Sequence, residues 1–264
     1  MKLSNNTIII TGGTSGIGLA FAKEFLKRGN KVIVIGRNQQ TIDQVMKEHK
    51  GLIGLQGDVS NADSVRKMAA FIKENYPEAN VLFHSAGIMR PFKLLDEMLE
   101  IEHLTTEVET NLNGTMWMTK ALLPQLTEQN ESMIVTVSSG LSYITSPMHP
   151  VYSATKAGIH MFTDALRIQL NKSGKNVHVM ELVPPLVTET NLVLHLGAET
   201  NLESSVKSVD GIPNMSLATL VKHGIKGMEK NKKRVVPGVS KFLCLAGKFF
   251  PDLLSSSMAK GMES

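Results

Sequence analysis

Two hydrophobic rhythms alternate along the chain. Nearly continuous apolar runs, Ile8-Ile9-Ile10, Val32-Ile33-Val34-Ile35, Leu52-Ile53-Gly54-Leu55, Val81-Leu82-Phe83 and Met133-Ile134-Val135-Thr136-Val137, predict short strands. Between them apolar residues return at helical spacing. This predicts helices over 19–28, closed by Gly29, over 61–75, capped by Ser60 or Asn61, over about 102–125, and over 152–171. A further strand is expected over 177–183, a helix over 217–228 and a short strand over 234–236. Strands that are apolar throughout are buried on both faces. The expected architecture is therefore a doubly wound α/β protein, a parallel sheet with helices on both sides. No repeat or low-complexity linker precedes residue 185, so residues 1–264 are read as a single domain with a core over 5–190.

Composition narrows the classes. A chain of 264 residues that is 42% hydrophobic and 20% charged excludes a disordered or collagen-like protein. A net charge of +4 is too weak to argue for nucleic acid, and no nucleic-acid motif is present. The single cysteine excludes an internal disulfide. No long charge-free apolar run or signal-peptide pattern appears, so a cytoplasmic protein is expected. No metal site is expected.

The first strand runs into Gly12-Gly13-Thr14-Ser15-Gly16-Ile17-Gly18 and then a helix. Glycines at such a turn adopt φ values other residues resist, and they let backbone N–H groups approach a phosphate at the helix N-terminus. The second strand ends in Gly36-Arg37-Asn38, without the carboxylate that would bind a ribose 2′-hydroxyl. Arg37 can instead offer a planar charged fork to a 2′-phosphate. Tyr152 and Lys156 lie one helical turn apart, where an ammonium can favour the phenolate and the phenol can exchange a proton with a carbonyl or alcohol oxygen.

The T-G-x-x-x-G-x-G spacing from Thr11 to Gly18 resembles the cofactor loop of the short-chain dehydrogenase/reductase family, and the resemblance extends over about residues 5–190. It implies a Rossmann-type fold and a hydride transfer between NADP(H), preferred over NAD(H), and a carbonyl or alcohol substrate. Gly12, Thr14, Ser15, Gly16, Ile17 and Gly18 would hold the cofactor, with Arg37, the Asp58-Val59 pair at the adenine, and Ser85, Ala86 and Gly87. Tyr152 would be the acid and base. Lys156 would bind the nicotinamide ribose and depress the Tyr152 pKa. Ser139, thirteen residues before Tyr152, would hold the substrate oxygen, with Ser138 the competitor. Asn111, in Asn111-Leu112-Asn113-Gly114, would hold a water that connects the lysine to solvent. The resemblance also implies a homodimer or homotetramer through the helices carrying Asn111 and Tyr152.

Two motifs depart from the family pattern. His84-Ser85-Ala86-Gly87 replaces N-N-A-G, and His84 is read as structural. Pro184-Pro185-Leu186-Val187-Thr188 replaces a P-G sequence. Pro184 and Val187 are still expected at the nicotinamide, while Thr188 and Thr190 straddle the usual threonine position, which is Glu189. The double proline is similar to a bacterial subgroup associated with D-alanine transfer to cell-wall polymers. Residues 190–214 read as an ordered surface loop or as a lid. Met89, Phe92, Leu141, Tyr143, Ile144 and Met148 suggest an apolar pocket, with Arg90 at its edge. The basic cluster Lys226, Lys230, Lys232, Lys233 and Arg234 precedes an apolar segment with Phe242, Leu243, Leu245, Phe249, Phe250, Leu253 and Leu254. That segment would pack on the domain or a second subunit, or would dock on an anionic membrane. A non-catalytic NADPH sensor on the same fold is the competing function.

Overall fold

The computed structural model describes residues 1–91, 93–187, 189–190, 192, 214–249 and 254–255. Strands β1 (Thr7–Thr11), β2 (Lys31–Gly36), β3 (Leu52–Gln56), β4 (Ala79–His84), β5 (Ser132–Val137), β6 (Val177–Leu182) and β7 (Arg234–Val235) form one sheet. Its order is β3-β2-β1-β4-β5-β6-β7, and every neighbouring pair is parallel. The chain starts in the middle, winds out to β3, returns to β4 and winds out the other way. The loops leaving β1 and β4 therefore diverge, which opens a crevice at their carboxyl ends.

Side chains alternate across the sheet and feed two cores. On one face Ile8, Ile10, Val34, Phe83 and Val135 pack against Phe21 and Phe25 of α1 (Gly16–Lys27) and Leu220 and Ile225 of a late helix, Leu217–Glu229. The Phe21 and Phe83 rings lie 4.6 Å apart. On the other face Ile9, Ile33, Leu82 and Ile134 meet Met68 and Ile72 of α3 (Ala62–Asn75). They also meet Met118 and Leu122 of a helix over Gly114–Glu128, and Leu166 of one over Pro150–Ser173. Asn61 caps α3, its side chain accepting the Ser64 N–H.

Two features were not legible in the pattern. Helix α2 (Gln39–Glu48) buries only Ile42 and Val45, so it carries few apolar residues to mark it, and Asn38 starts it by accepting the Thr41 N–H. The expected helix over 102–125 is interrupted. It runs as α4 (Ile101–Glu107), a wide π turn (Val108–Asn113) and α5 (Gly114–Glu128), with the Gly114 N–H reaching back five residues to the Glu109 carbonyl. The remaining helices are α6 (Pro150–Ser173), α7 (Leu217–Glu229) and α8 (Ser240–Phe249).

Leu243 and Gly247 of α8 lie against Gly140, Tyr143 and Ile144, so this apolar segment covers the loop after β5, as packing on the domain requires. Phe242, Leu245 and Phe249 face outward. Phe250 and Leu253, Phe92, Thr188 and the span 193–213, with nearly all of the expected loop or lid, lie outside the described residues. Among the described residues no helix is long and apolar enough to cross a membrane.

Candidate active site

The glycine turn after β1 is closed by backbone proximity. Gly12 has φ +64°, and a Cβ built on it would lie 2.7 Å from the Ala86 Cα. A Cβ on Gly18 would overlap the Gly12 carbonyl, so helix and turn can approach only without side chains. Thr11 ties this turn to the loop after β4, its hydroxyl accepting the Ser85 and Ala86 N–H groups at 3.3 Å. Ser15 precedes α1 without a side-chain cap, and the first turn of α1 carries no acid. Those amides are free to meet an anion.

A cleft of about 400 Å³ opens over this turn. Gly12, Thr14, Ser15, Arg37, Asp58, Val59, Ala86 and Gly87 line it, as do Ile88, Met89, Arg90 and Thr110. A smaller hollow continues over Arg37, Gln56, Asp58 and Ser64. Arg37 has a guanidinium without a hydrogen bond or ion pair among the described residues, while Asp58 is engaged with Ser60 at 2.7 Å. Gly16, Ile17 and Gly18 form the start of α1 behind the lining. Val187 is buried in the first core, and Thr190 donates to its carbonyl at 2.9 Å. The Thr190 Cβ lies 3.4 Å from where a Gly16 Cβ would be, so Thr190 sits against the glycine turn. Glu189 instead caps α7, accepting the Leu217 N–H at 2.9 Å. Pro184 is buried just after β6.

Tyr152 and Lys156 project from the first turns of α6, and both are buried. The Lys156 Nζ donates to the Val137 carbonyl at 2.9 Å and lies 5.4 Å from the Tyr152 ring centre. Ser139 acts on the Tyr152 phenol, favouring its ionised form. Its position is fixed by a tight turn, in which Ser139 accepts the Leu141 N–H and Ser142 bonds back to the Ser139 N–H. The competitor Ser138 is occupied, donating to the buried Glu181 carboxylate at 2.6 Å.

Asn111 is fully buried inside the π turn. Its side-chain oxygen accepts the Ile88 N–H at 2.8 Å, and its amide donates to the Ile88 carbonyl and to Thr155. Its side chain therefore grips the wall of the cleft. A Cβ on Gly87 would lie 3.4 Å from the Asn111 Oδ1 and 3.5 Å from the Lys156 Nζ, which places cleft, lysine and asparagine side by side.

The electrostatics depart from expectation at the phenol. Burial raises the Tyr152 pKa above its ordinary value, Ser139 lowers it, and the Glu107 charge raises it. The expected depression by Lys156 does not prevail over the phenol's own burial, and burial pushes the lysine down as well, to about 8. At neutral pH the phenol is a protonated donor.

Behind the site, Glu181 holds its charge. Burial pushes its carboxyl up, but hydrogen bonds from His160 and Ser138 and the Arg234 ion pair keep it below the usual range. Tyr143 belongs to this cluster, its hydroxyl 3.3 Å from His160. Tyr143 and Ile144, expected at the pocket, thus face the cluster and α8.

His84 is buried and bonded to Thr119 at 2.9 Å, and burial lowers its pKa to about 3. Only the unfolded chain binds that proton between about pH 6.5 and 3, so stability is full above this window and falls as pH falls through it. His84→Gln, which can keep the Thr119 bond, should flatten the loss. Between about pH 6.5 and 5 the variant should lose ~2 kcal/mol less than wild type in urea unfolding. Equal losses would exclude His84 as the acid-sensitive group.

The doubly wound parallel sheet with a glycine turn at its switch point defines a Rossmann-type α/β protein. The chain belongs to the short-chain dehydrogenase family, whose family model matches residues 6–201. It is 31% identical over 239 residues to "Uncharacterized oxidoreductase DltE" of Bacillus subtilis (strain 168), covering 89% of each chain. Its fold is similar to that of a short chain dehydrogenase from Burkholderia cenocepacia J2315 in complex with NADP. The TM-score is 0.79 at 20% identity, over 98% of this chain and 99% of the other. It is likewise similar to a short chain dehydrogenase/reductase from Burkholderia phymatum in complex with NAD, with a TM-score of 0.81 at 20% identity over 94% and 95%.

Proposed function

We propose that this protein is an NADP(H)-dependent carbonyl reductase or alcohol dehydrogenase. The observation that carries the reading is the grouping of Ser139, Tyr152 and Lys156 beside a glycine-walled cleft. The cradle that side chains would fill, the amides of α1 without a side-chain cap and the Arg37 fork, unpaired among the described residues, fit a dinucleotide bearing a 2′-phosphate. When bound, the nicotinamide supplies or accepts the hydride. Carbonyl reduction also needs a proton at oxygen. Tyr152, kept neutral by burial, donates it, and in the reverse direction takes it back. Ser139 holds the same oxygen. Lys156 orients the cofactor ribose and stabilises negative charge at Tyr152. Asn111 supports the lysine's route to solvent by fixing the cleft wall at Ile88.

Ile88 and Met89 in that wall favour a partly apolar substrate. Met161 and Ile168, exposed two turns apart on α6, supply an apolar stripe for a homodimer or homotetramer. We place the enzyme in the cytoplasm.

Thermal unfolding tests the cofactor assignment. At a hundredfold excess over Kd, binding adds ~2.7 kcal/mol, a rise of roughly 5–10 °C for a chain of this size. NADPH should give this rise and NADH a smaller one. Arg37→Ala should weaken NADPH by about 10- to 100-fold and leave NADH unchanged. A larger rise with NADH in wild type would reverse the preference. No rise with either would remove the dinucleotide from the reading.

A further inference from the structure

Glu107, the last residue of α4, is fully buried, and the chemistry above makes no use of it. Its Oε1 accepts the Arg90 N–H at 2.9 Å. Its Oε2 is closed off from solvent and has no hydrogen-bond partner among the described residues. A carboxylate oxygen in that state is costly unless nearby charge compensates it. The helix of Glu107 packs on α6, and the groups whose charge acts on Glu107 or feels its own are Arg90 from the loop after β4, and Lys156 and Tyr152 from α6. On its own helix and the π turn, Glu102, His103 and Glu109 point into solvent. One turn further on, Asn111 grips Ile88 through both backbone groups. Glu107 and Asn111 together therefore fix residues 88–90, the cleft wall beside the lysine.

We propose that Glu107 is a positioning residue whose two oxygens have separate tasks. One anchors the Arg90 backbone, and the other supplies the negative charge that keeps the Lys156 ammonium and the Tyr152 phenol protonated. This rests on the reading of Tyr152 and Lys156 as the reacting pair. Burial pushes Glu107 up, to about 7, and Lys156 down, to about 8, and the charge on each favours the charged form of the other. Removing the charge lowers both neighbours, so both lose their protons at lower pH.

The test is Glu107→Gln, whose amide oxygen still accepts the Arg90 N–H. Two readouts are compared with wild type: the pH profile of kcat/KM for NADPH-dependent reduction of 4-nitrobenzaldehyde, and the Lys156 titration followed by NMR on 13Cε-lysine-labelled protein. The alkaline limb and the lysine midpoint should both move down by about one pH unit, with the melting temperature and the NADPH-induced rise kept. Glu107→Asp, which retains the charge, should return both toward wild type. A purely structural anchor leaves both unmoved, and that result overturns the proposal. The lysine midpoint is read without turnover, so an inactive wild type would refute the reductase reading while Glu107 is still judged. Should the Gln variant not fold, infrared difference spectra of wild-type protein carrying 13C-glutamate decide. A protonated carboxyl band lost between about pH 6 and 8 in step with a change in the Lys156 13Cε shift supports the assignment, and a Lys156 signal that does not respond overturns it.

Discussion

Tyr152→Phe is expected to lower kcat for carbonyl reduction by on the order of 10³-fold while leaving the NADPH-induced rise in melting temperature in place. In the proposed reaction the phenol, which burial keeps neutral, is the donor, and the nearby groups are poor substitutes for it. The Lys156 Nζ is held by the Val137 carbonyl and lies 5.4 Å from the ring centre. The Ser139 hydroxyl is far too weak an acid to take over at neutral pH. The ring itself is packed and buried, and phenylalanine keeps that packing. The variant loses only a hydroxyl from this packed position, so it should fold. Cofactor affinity should survive because the phosphate cradle and Arg37 lie on the loops after β1 and β2, away from the hydroxyl. Steady-state turnover with NADPH and the thermal rise measured on one preparation check both halves. Undiminished turnover would remove Tyr152 from the chemistry. A wild-type protein that binds NADPH but reduces no carbonyl would favour the sensor alternative.

Much of this site is legible in the sequence because its parts are local. A strand, a glycine turn and a helix declare themselves within thirty residues, and Tyr152 and Lys156 share one helix turn. The family's thirteen-residue spacing favours Ser139 over Ser138, and in the fold Ser138 donates to Glu181. What stayed hidden depends on burial or on distant partners. Glu107 reads as one more polar residue of an exposed helix until the fold places it under the loop after β4. The π turn carries no punctuation in the sequence, since no glycine or proline breaks 108–113. Tyr143 resembles a pocket residue by position, but its hydroxyl finds His160 on α6. The Thr190 approach to Gly16 spans the sheet edge and could not be read from the altered proline motif.

Gly12→Ala is expected to abolish the NADPH-induced thermal rise and to cost ~3 kcal/mol of stability. Gly12 sits at φ +64°, where a side chain costs about 1–2 kcal/mol in backbone strain. A Cβ there would also lie 2.7 Å from the Ala86 Cα and 2.8 Å from its N, both backbone atoms that no rotamer change can clear. Relief requires the 85–86 loop to retreat, which breaks two hydrogen bonds to Thr11, each worth about 1 kcal/mol. The same retreat displaces Gly87 and with it the gap in front of Asn111 and Lys156. Gly29→Ala separates this from strain alone. Gly29 has φ +77° with nothing within 4 Å of its Cβ position, so that variant should lose about 1–2 kcal/mol and keep the full NADPH rise. If Gly12→Ala also kept the full rise, the cofactor would have to be held elsewhere, because the turn cannot accept a methyl group at Gly12 and keep its shape.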